Sequence, residues 1–452
     1  MRPRPLSAVA AAVDGELVGD DVTVSSVSTD SRVLEPGALF VALEGERRDG
    51  HGFVADAFAA GAAAALVRRG TVTDGPAVTV ASTGDALLAL GADERERSDA
   101  TVVAITGANG KTSTKDMTAA VLGRRYRIHA SPRSFNNEIG TPLTLLGAAP
   151  DTEVVVAELG ARREGDVALL CRIARPDVVV VTNVGVAHLE VFGSWEAIVR
   201  AAAEPVDALG TDGTAVLNAD DPVVAGLADR TDARAVTFGR AAGADVRAED
   251  VRLDPDARPV FELVAGHDRA GVRLAVPGDH MVPNALAAAA VGIHLGVPLA
   301  DCALALGDAT VAPWRMETFW SGGVRVLNDA YNANPESMAA ALRTAMVMAG
   351  EGRVLAVLGQ MAELGPIGAQ EHERVGELVA RLGVARLITV GPEAKAIAVA
   401  ALREGVEPEH VADYDDLEAA REDVRAHARP GDVVLVKASR VAGLERLAEA
   451  LR

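Results

Sequence analysis

The sequence predicts an α/β protein built as three domains, and three observations carry that expectation. At 452 residues the chain is too long for one typical core and suits two or three. Short apolar runs alternate with helical stretches along much of its length, the pattern of doubly wound α/β units. The stretch Thr106-Gly107-Ala108-Asn109-Gly110-Lys111-Thr112 follows an apolar run at 102–105 and precedes a helical segment at 113–122. Strand, glycine-rich turn, lysine, threonine and helix form the layout of a phosphate cradle. Glycines let backbone N–H groups turn inward, and the helix N-terminus adds its positive end. Lys111 can reach a β or γ phosphate, and the Thr112 hydroxyl can ligate Mg²⁺. The loop is shorter than the usual G-x-x-x-x-G-K-[ST]. The plain alternative is a lysine at an ordinary glycine-containing helix start.

Composition narrows the class. Hydrophobic residues make up 49% but aromatic residues only 3%, which favours layered helix-and-sheet packing over an aromatic-rich binding face. The formal net charge of −20, from 44 Lys+Arg against 64 Asp+Glu, repels nucleic acid and anionic membrane in general. A local basic site for phosphate remains compatible with it. Cys171 and Cys302, far apart in the chain, fit a reducing compartment better than a disulfide scaffold. The basic start Met1-Arg2-Pro3-Arg4-Pro5 leads into no sustained apolar stretch, so no signal peptide is read. The apolar run at 285–293 is about half the length of a membrane span. A cytoplasmic protein without stable membrane insertion is expected.

The first domain, 1–97, reads as short strands at 24–27 and 39–43, a helix at 53–60, a strand at 64–67 and a helix at 84–90. The charged run 93–97 reads as the linker to the next domain. Asp30-Ser31-Arg32 sits between the early strands. Ser31 and Arg32 either hold an anionic ligand such as a diphosphate, or form a surface turn with an internal Asp–Arg pair.

The middle domain, 98–312, is read as a P-loop-type domain on a mostly parallel sheet. Three strands end in polar residues: 102–105 at the phosphate loop, 154–157 at Glu158, and 178–181 at Thr182-Asn183, with His188 further on. Ligands of open parallel sheets bind beyond the carboxyl ends of strands. If these three strands are neighbours, Thr112, Glu158 and His188 gather around the phosphates, an oxygen set with one imidazole suited to Mg²⁺ or Mn²⁺ beside ATP. Otherwise Glu158 is a cap or turn carboxylate and His188 a loop histidine. Asn136 and Asn137 offer paired donors and acceptors to a polar substrate, or make a turn and cap before the helix start at 142–146. Asn284 opens a helical run at 285–291, and either caps it or bonds a base edge.

The last domain, 313–452, is read as Rossmann-like, with strands at 324–327, 354–358, 387–390 and 433–436. Arg315 lies at the expected hinge and can swing onto the phosphates as the halves close. Asn334 makes a good N-cap and Pro335 a good first helical residue, with Met338, Ala341, Leu342 and Ala345 on one face. Asp329, at a strand end, can hold a ribose hydroxyl. Lys437 can hold a carboxylate or phosphate, or stabilise its own turn. There is no serine nucleophile elbow, no C-x-x-C and no G-x-G-x-x-G after a strand, which disfavours a nicotinamide enzyme. From the residues alone the reading ends at a multidomain enzyme that uses ATP.

The whole chain resembles the Mur ligases, ATP-dependent amide-forming enzymes of peptidoglycan precursor synthesis. The resemblance rests on DSR at 30–32, ERRDGHGF at 46–53, TGANGKTSTK at 106–115, SFNNEIGTPLTLL at 134–146, AELGA at 157–161 and TNVGVAHLEVFGS at 182–194. It continues through NADDP at 218–222, HMVPNALAAAA at 280–290, NDAYNANPESM at 328–338, LGQMAELG at 358–365 and VKASR at 436–440. SFNNEIG with DAYNANPESM, and no Asp-Asn-Pro-Arg motif, favour the dipeptide-adding branch. The resemblance implies that the substrates are ATP, UDP-N-acetylmuramoyl-tripeptide and D-alanyl-D-alanine, and it favours a monomer. The first domain would bind the UDP part, with Ser31 and Arg32. Gly107, Asn109, Gly110, Lys111, Thr112, Ser113, Asn284, Arg315 and Asp329 would hold the nucleotide. Thr112 and Glu158 would serve one Mg²⁺ and His188 a second, with Lys111, Glu158 and His188 at the reacting phosphate. Asn136, Asn137, Tyr331, Asn334 and Lys437 would meet the substrates.

One departure stands out. Most members carry a lysine after the histidine loop that is carbamylated to help hold the second Mg²⁺. Aligning 193–205 puts Ala202 there. Glu204 points about 200° away around the helix and is no simple substitute. Since the other motif residues persist, an active enzyme without the carbamate is expected. The competing readings are a degenerate ligase kept as a binding partner, and a motor or transport ATPase that needs no amine.

Overall fold

The computed structural model describes residues 1–45, 48–186 and 189–452. Three parallel-rich sheets follow one another along the chain. The first is five-stranded, in the order Glu16–Val18, Ala77–Val80, Ala64–Arg68, Ala38–Val41, Ser26–Ser28. Its inner strand Ala38–Val41 is buried along its whole length, which is why it reads as an unbroken apolar run.

The second sheet has nine strands and organises the molecule. Thr101–Thr106 lies between Val154–Glu158 and Val178–Val181, parallel to both. Glu158 pairs in register with Ile105, and Val181 with Thr106, so the three polar strand ends meet at one level. Helix Met281–His294 packs against the phosphate-loop helix Lys111–Leu122. Its alanines let the two approach so closely that a Cβ at Gly292 would lie 2.3 Å from Val121. The sheet ends in antiparallel strands Val246–Leu253, Pro259–Ala265 and Asp268–Arg273, which the sequence reading passed over. The third sheet has six strands, with Glu317–Ser321 as an antiparallel edge on an otherwise parallel set.

Three local expectations need correcting. The run 93–97 is no linker: helix Thr83–Glu96 continues through most of it. Arg4 pairs with Asp93 and Glu94, and Arg97 bonds Asp93 at 2.8 Å, so the charges are neutralised in place and Glu94 is buried. The strand at 24–27 breaks at Ser25 into Thr23–Val24 and Ser26–Ser28, which belong to different sheets. Asn284 caps nothing, because the helix starts at Met281 and His280 occupies the cap position. Asn334, by contrast, is the expected cap. It forms a reciprocal box with Ser337, with Pro335 first in the helix and Met338, Ala341, Leu342 and Ala345 buried.

Candidate active site

The phosphate loop is a cradle that side chains would fill. Gly107 and Gly110 have φ of +135° and +82°, where glycine carries no Cβ penalty. A Cβ at Gly107 would come within 2.1 Å of the Thr182 hydroxyl, and one at Gly110 within 2.2 Å of Asn284 Oδ1. The next strand end holds the loop from below. Asn183 Oδ1 accepts from Asn109 N–H at 2.8 Å, and its main-chain oxygen accepts from Ala108 N–H at 2.9 Å. Thr182 and Asn183 both donate to Asn109 O, at 2.7 and 3.1 Å. Lys111 folds back over the loop and donates to Gly107 O at 2.7 Å and Ala108 O at 3.2 Å. Burial pushes its pKa down, against the pull of the Glu158 carboxylate. Ser113 is buried in the first turn behind it.

Beneath Lys111, Thr112 and Glu158 meet. Thr112 Oγ1 donates to Glu158 Oε2 at 2.8 Å, and Asn136 Nδ2 donates to Oε1 at 2.8 Å. Glu158 is 1% exposed, a buried carboxylate oriented by two side-chain donors. Arg315 reaches across from the last domain. Its Nη2 lies 2.8 Å from Thr112 Oγ1 and 3.3 Å from Ser134 Oγ, its plane stacks 4.0 Å from the Tyr331 ring, and its buried Nε has no partner among the described residues.

These residues fit a nucleotide with Mg²⁺. The glycine cradle, the orphaned Nε and the cationic Lys111 suit phosphate oxygens. A hydroxyl and one buried carboxylate are the sparse oxygen set that Mg²⁺ takes when phosphates and water complete its shell. Among the described residues no group of three or more His, Cys, Asp or Glu could hold a metal by itself. His188, expected as a ligand, lies outside the described residues, as do Ala187, Glu46 and Arg47.

The other expected residues divide. Asn334 joins the two halves: Nδ2 donates to Asn109 Oδ1 at 2.6 Å while Oδ1 caps its own helix. Asn284 is buried under the loop against Gly110. Asp329 and Lys437 are paired with each other. Lys437 Nζ donates to Asp329 Oδ2 at 2.5 Å and Asn332 O at 3.0 Å, and is 1% exposed. Lys437 is therefore no free cation for a substrate here. It holds the distant turn at 329–332 and not its own, so neither reading of it from the sequence describes these contacts. Asn137 makes the turn leading into helix Gly140–Gly147, accepting from Gly140 N–H at 2.9 Å, while Ile139 occupies the cap position. Arg32 is exposed and paired with Asp30 at 2.6 Å, with Ser31 between them. That contact holds the Asp30 carboxyl down to about 2.

The helix at the missing lysine runs Trp195–Asp207, through Pro205. Glu204 accepts from Gly165 N–H at 2.5 Å and Ala168 N–H at 2.8 Å, capping helix Asp166–Ala174. It is committed there, and no substitute for a ligand at Ala202. Sequence reasoning missed Thr182, Asn183 and Ser134 as site residues. The polar strand end at 182–183 was the available signal for two of them.

Three family models match the chain: "Mur ligase family, catalytic domain" over residues 23–121, "Mur ligase middle domain" over 105–292, and "Mur ligase, glutamate ligase domain" over 314–440. The chain is 43% identical, over a 467-residue alignment covering 94% of it and 92% of the relative, to UDP-N-acetylmuramoyl-tripeptide–D-alanyl-D-alanine ligase of Mycobacterium tuberculosis (strain ATCC 25618 / H37Rv). It is 35% identical to the Bacillus subtilis (strain 168) protein of the same name, covering 100% of this chain and 99% of the relative. Among solved structures, MurF from Acinetobacter baumannii superposes with a TM-score of 0.89 at 31% identity, covering 100% and 99% of the two chains. With the phosphate loop, the three α/β domains and these full-length matches together, the chain belongs to the Mur ligase family.

Proposed function

We propose that this chain joins D-alanyl-D-alanine to UDP-N-acetylmuramoyl-tripeptide at the expense of ATP, releasing ADP and phosphate. The observation that carries this reading is the buried Thr112–Glu158 pair beneath a glycine-lined phosphate loop, with Arg315 reaching it from the last domain. The names of the full-length relatives support the choice of substrates. The three segments share the work: 1–97 takes the UDP part through Ser31 and Arg32, 98–312 takes ATP, and 313–452 completes the nucleotide site and receives the amine.

A carboxylate is a poor electrophile, and phosphorylation gives it a leaving group. The tripeptide carboxylate attacks the γ phosphorus, the bond to ADP breaks, and an acyl phosphate forms. The free amine of the dipeptide attacks the acyl carbon, the tetrahedral adduct collapses, and phosphate leaves. Lys111 and Arg315 bring positive charge to the transferring group. Thr112 and Glu158 would hold Mg²⁺, which would supply charge neutralisation at the phosphates, and Asn136 keeps the Glu158 carboxylate aimed. Asn284 and Asp329 lie along the nucleotide, and Asn109 with Asn334 ties the two halves across it. No helix among the described residues is long and apolar enough to cross a membrane, in keeping with cytoplasmic nucleotide substrates.

Phosphate release by the purified chain with Mg²⁺, ATP and the UDP-linked tripeptide, with and without the dipeptide, tests this. Release should require the dipeptide and yield the UDP-linked pentapeptide by mass. Release without any amine would replace the ligase with an ATPase.

A further inference from the structure

One turn past Lys111, a second lysine on the phosphate-loop helix points away from the loop. Lys115 is 3% exposed, and all three of its N–H donors are used. They meet Ser131 O at 2.8 Å, Arg133 O at 2.9 Å and Asp116 Oδ1 at 2.9 Å. A buried ammonium is tolerated only with such a complete set of partners. Two of those partners are main-chain oxygens of a segment with no regular structure. Between Ser131 and Ser134 the backbone turns left-handed at Arg133, with φ of +50°, a conformation a bulky residue keeps only when its surroundings fix it.

That segment is the wall of the site facing Thr112 and Glu158. Ser131 Oγ accepts from Glu158 N–H at 3.1 Å. Ser134 Oγ lies 3.4 Å from Thr112 Oγ1 and 3.3 Å from Arg315 Nη2. Asn136 orients the Glu158 carboxylate. The other oxygen of Asp116 accepts from Ala312 N–H at 2.8 Å, just before Arg315 in the chain. Two adjacent side chains thus clamp both the 131–136 segment and the stretch that delivers Arg315.

We propose that Lys115 and Asp116 are positioning residues for the metal and phosphate side of the site, acting through Ser134, Asn136 and Arg315 without touching substrate. This rests on the reading of Thr112 and Glu158 as Mg²⁺ ligands. A purely structural ion pair would change thermal stability and leave metal affinity alone.

The test uses the full chain with Lys115→Met, Lys115→Arg and Asp116→Asn, and Glu158→Gln in parallel. Mn²⁺ is titrated in the presence of ADP and followed by the free-ion EPR signal. The Mg²⁺ dependence of turnover, the KM for the UDP-linked substrate and the thermal midpoint are measured alongside. Lys115→Met should weaken Mn²⁺ binding and raise the Mg²⁺ requirement about 10- to 100-fold, with the UDP-substrate KM held, as for other residues that orient ligands. Lys115→Arg should recover most of the loss, and Asp116→Asn should fall between. Metal affinity within about twofold of wild type in Lys115→Met would overturn the proposal. If that variant fails to fold, the same result in Asp116→Asn overturns it. If Glu158→Gln itself binds Mn²⁺ normally, the ligand assignment beneath the proposal fails and takes it down separately.

Discussion

Lys111 is held at a cost to the fold. Burial lowers its pKa from the ordinary 10.5, so the folded state sheds this proton more readily than the unfolded chain does. By linkage this group's contribution to stability improves as pH rises, because the unfolded chain binds the proton more tightly. Replacing it by methionine should lower turnover by roughly 10²- to 10³-fold, the worth of a preorganised donor to developing charge. The same change should leave the thermal midpoint at pH 7 unchanged or raised. Steady-state kinetics and calorimetry on Lys111→Met check both. Much of this neighbourhood was legible in the sequence, since the glycines, Lys111, Thr112 and Glu158 sit at strand ends where an open sheet binds ligands. What a linear reading could not supply was the side chains' partners. Lys437, read as either a cation for a substrate or a lysine holding its own turn, is saturated by Asp329 and Asn332, which no linear reading pairs with it because the two strand ends lie over a hundred residues apart.

At the scale of elements, one cap and one buried clasp make separable claims. Glu204, inside its own helix Trp195–Asp207, caps another, Asp166–Ala174, so Glu204→Ala should cost about 1–2 kcal/mol in stability. Turnover of the folded enzyme should be independent of added bicarbonate, since Ala202 offers no amine to carbamylate. The helix Trp195–Asp207 holds no lysine at all, and a strong bicarbonate dependence of turnover would contradict this expectation. In the last domain, Asp423 is buried, which raises its pKa, but the Arg386 guanidinium and the Tyr414 hydroxyl outweigh burial and hold it below 3.8. A depressed carboxylate stabilises the fold above its unfolded value and loses that contribution as pH falls through the folded one. Asp423→Asn should therefore destabilise the protein by about 3 kcal/mol at pH 7 and flatten the acid limb of its unfolding profile below pH 3.8. Denaturation across pH tests it. Element type was read well where one signal dominated, as in the Asn334-Pro335 helix start. It failed at 93–97, where a charge run resembled a solvated linker because its partner Arg4 lies near the other end of the domain.

Across the whole molecule, the site exists only because two α/β domains meet over one loop. Arg315 and Asn334 come from the last domain, and Thr112 and Asn109 from the middle one. Further out, Glu190 N–H donates to Glu363 O at 3.3 Å, and Gly365 sits where a Cβ would be 3.0 Å from Glu190. Asn334→Ser keeps a good helix cap and removes the bond to Asn109. It should raise the KM for ATP roughly three- to tenfold, about one hydrogen bond, with stability held. Asn334→Ala should show the same KM and lose about 1 kcal/mol of stability as well. The order of the three domains was visible in the alternation of strands and helices. The antiparallel strands at 246–273 were not, because their short exposed-and-buried alternation is a weaker signal than a run buried on both faces.

The most direct measurement of the chemistry is the fate of the substrate's carboxylate oxygens. With heavy oxygen in the terminal carboxylate of the UDP-linked tripeptide, attack on the γ phosphorus carries one labelled oxygen into the released phosphate. Mass spectrometry of that phosphate should find the label at one atom per turnover, in step with pentapeptide formed. Unlabelled phosphate released alongside pentapeptide would contradict activation of the carboxylate at the Lys111–Thr112–Glu158 site.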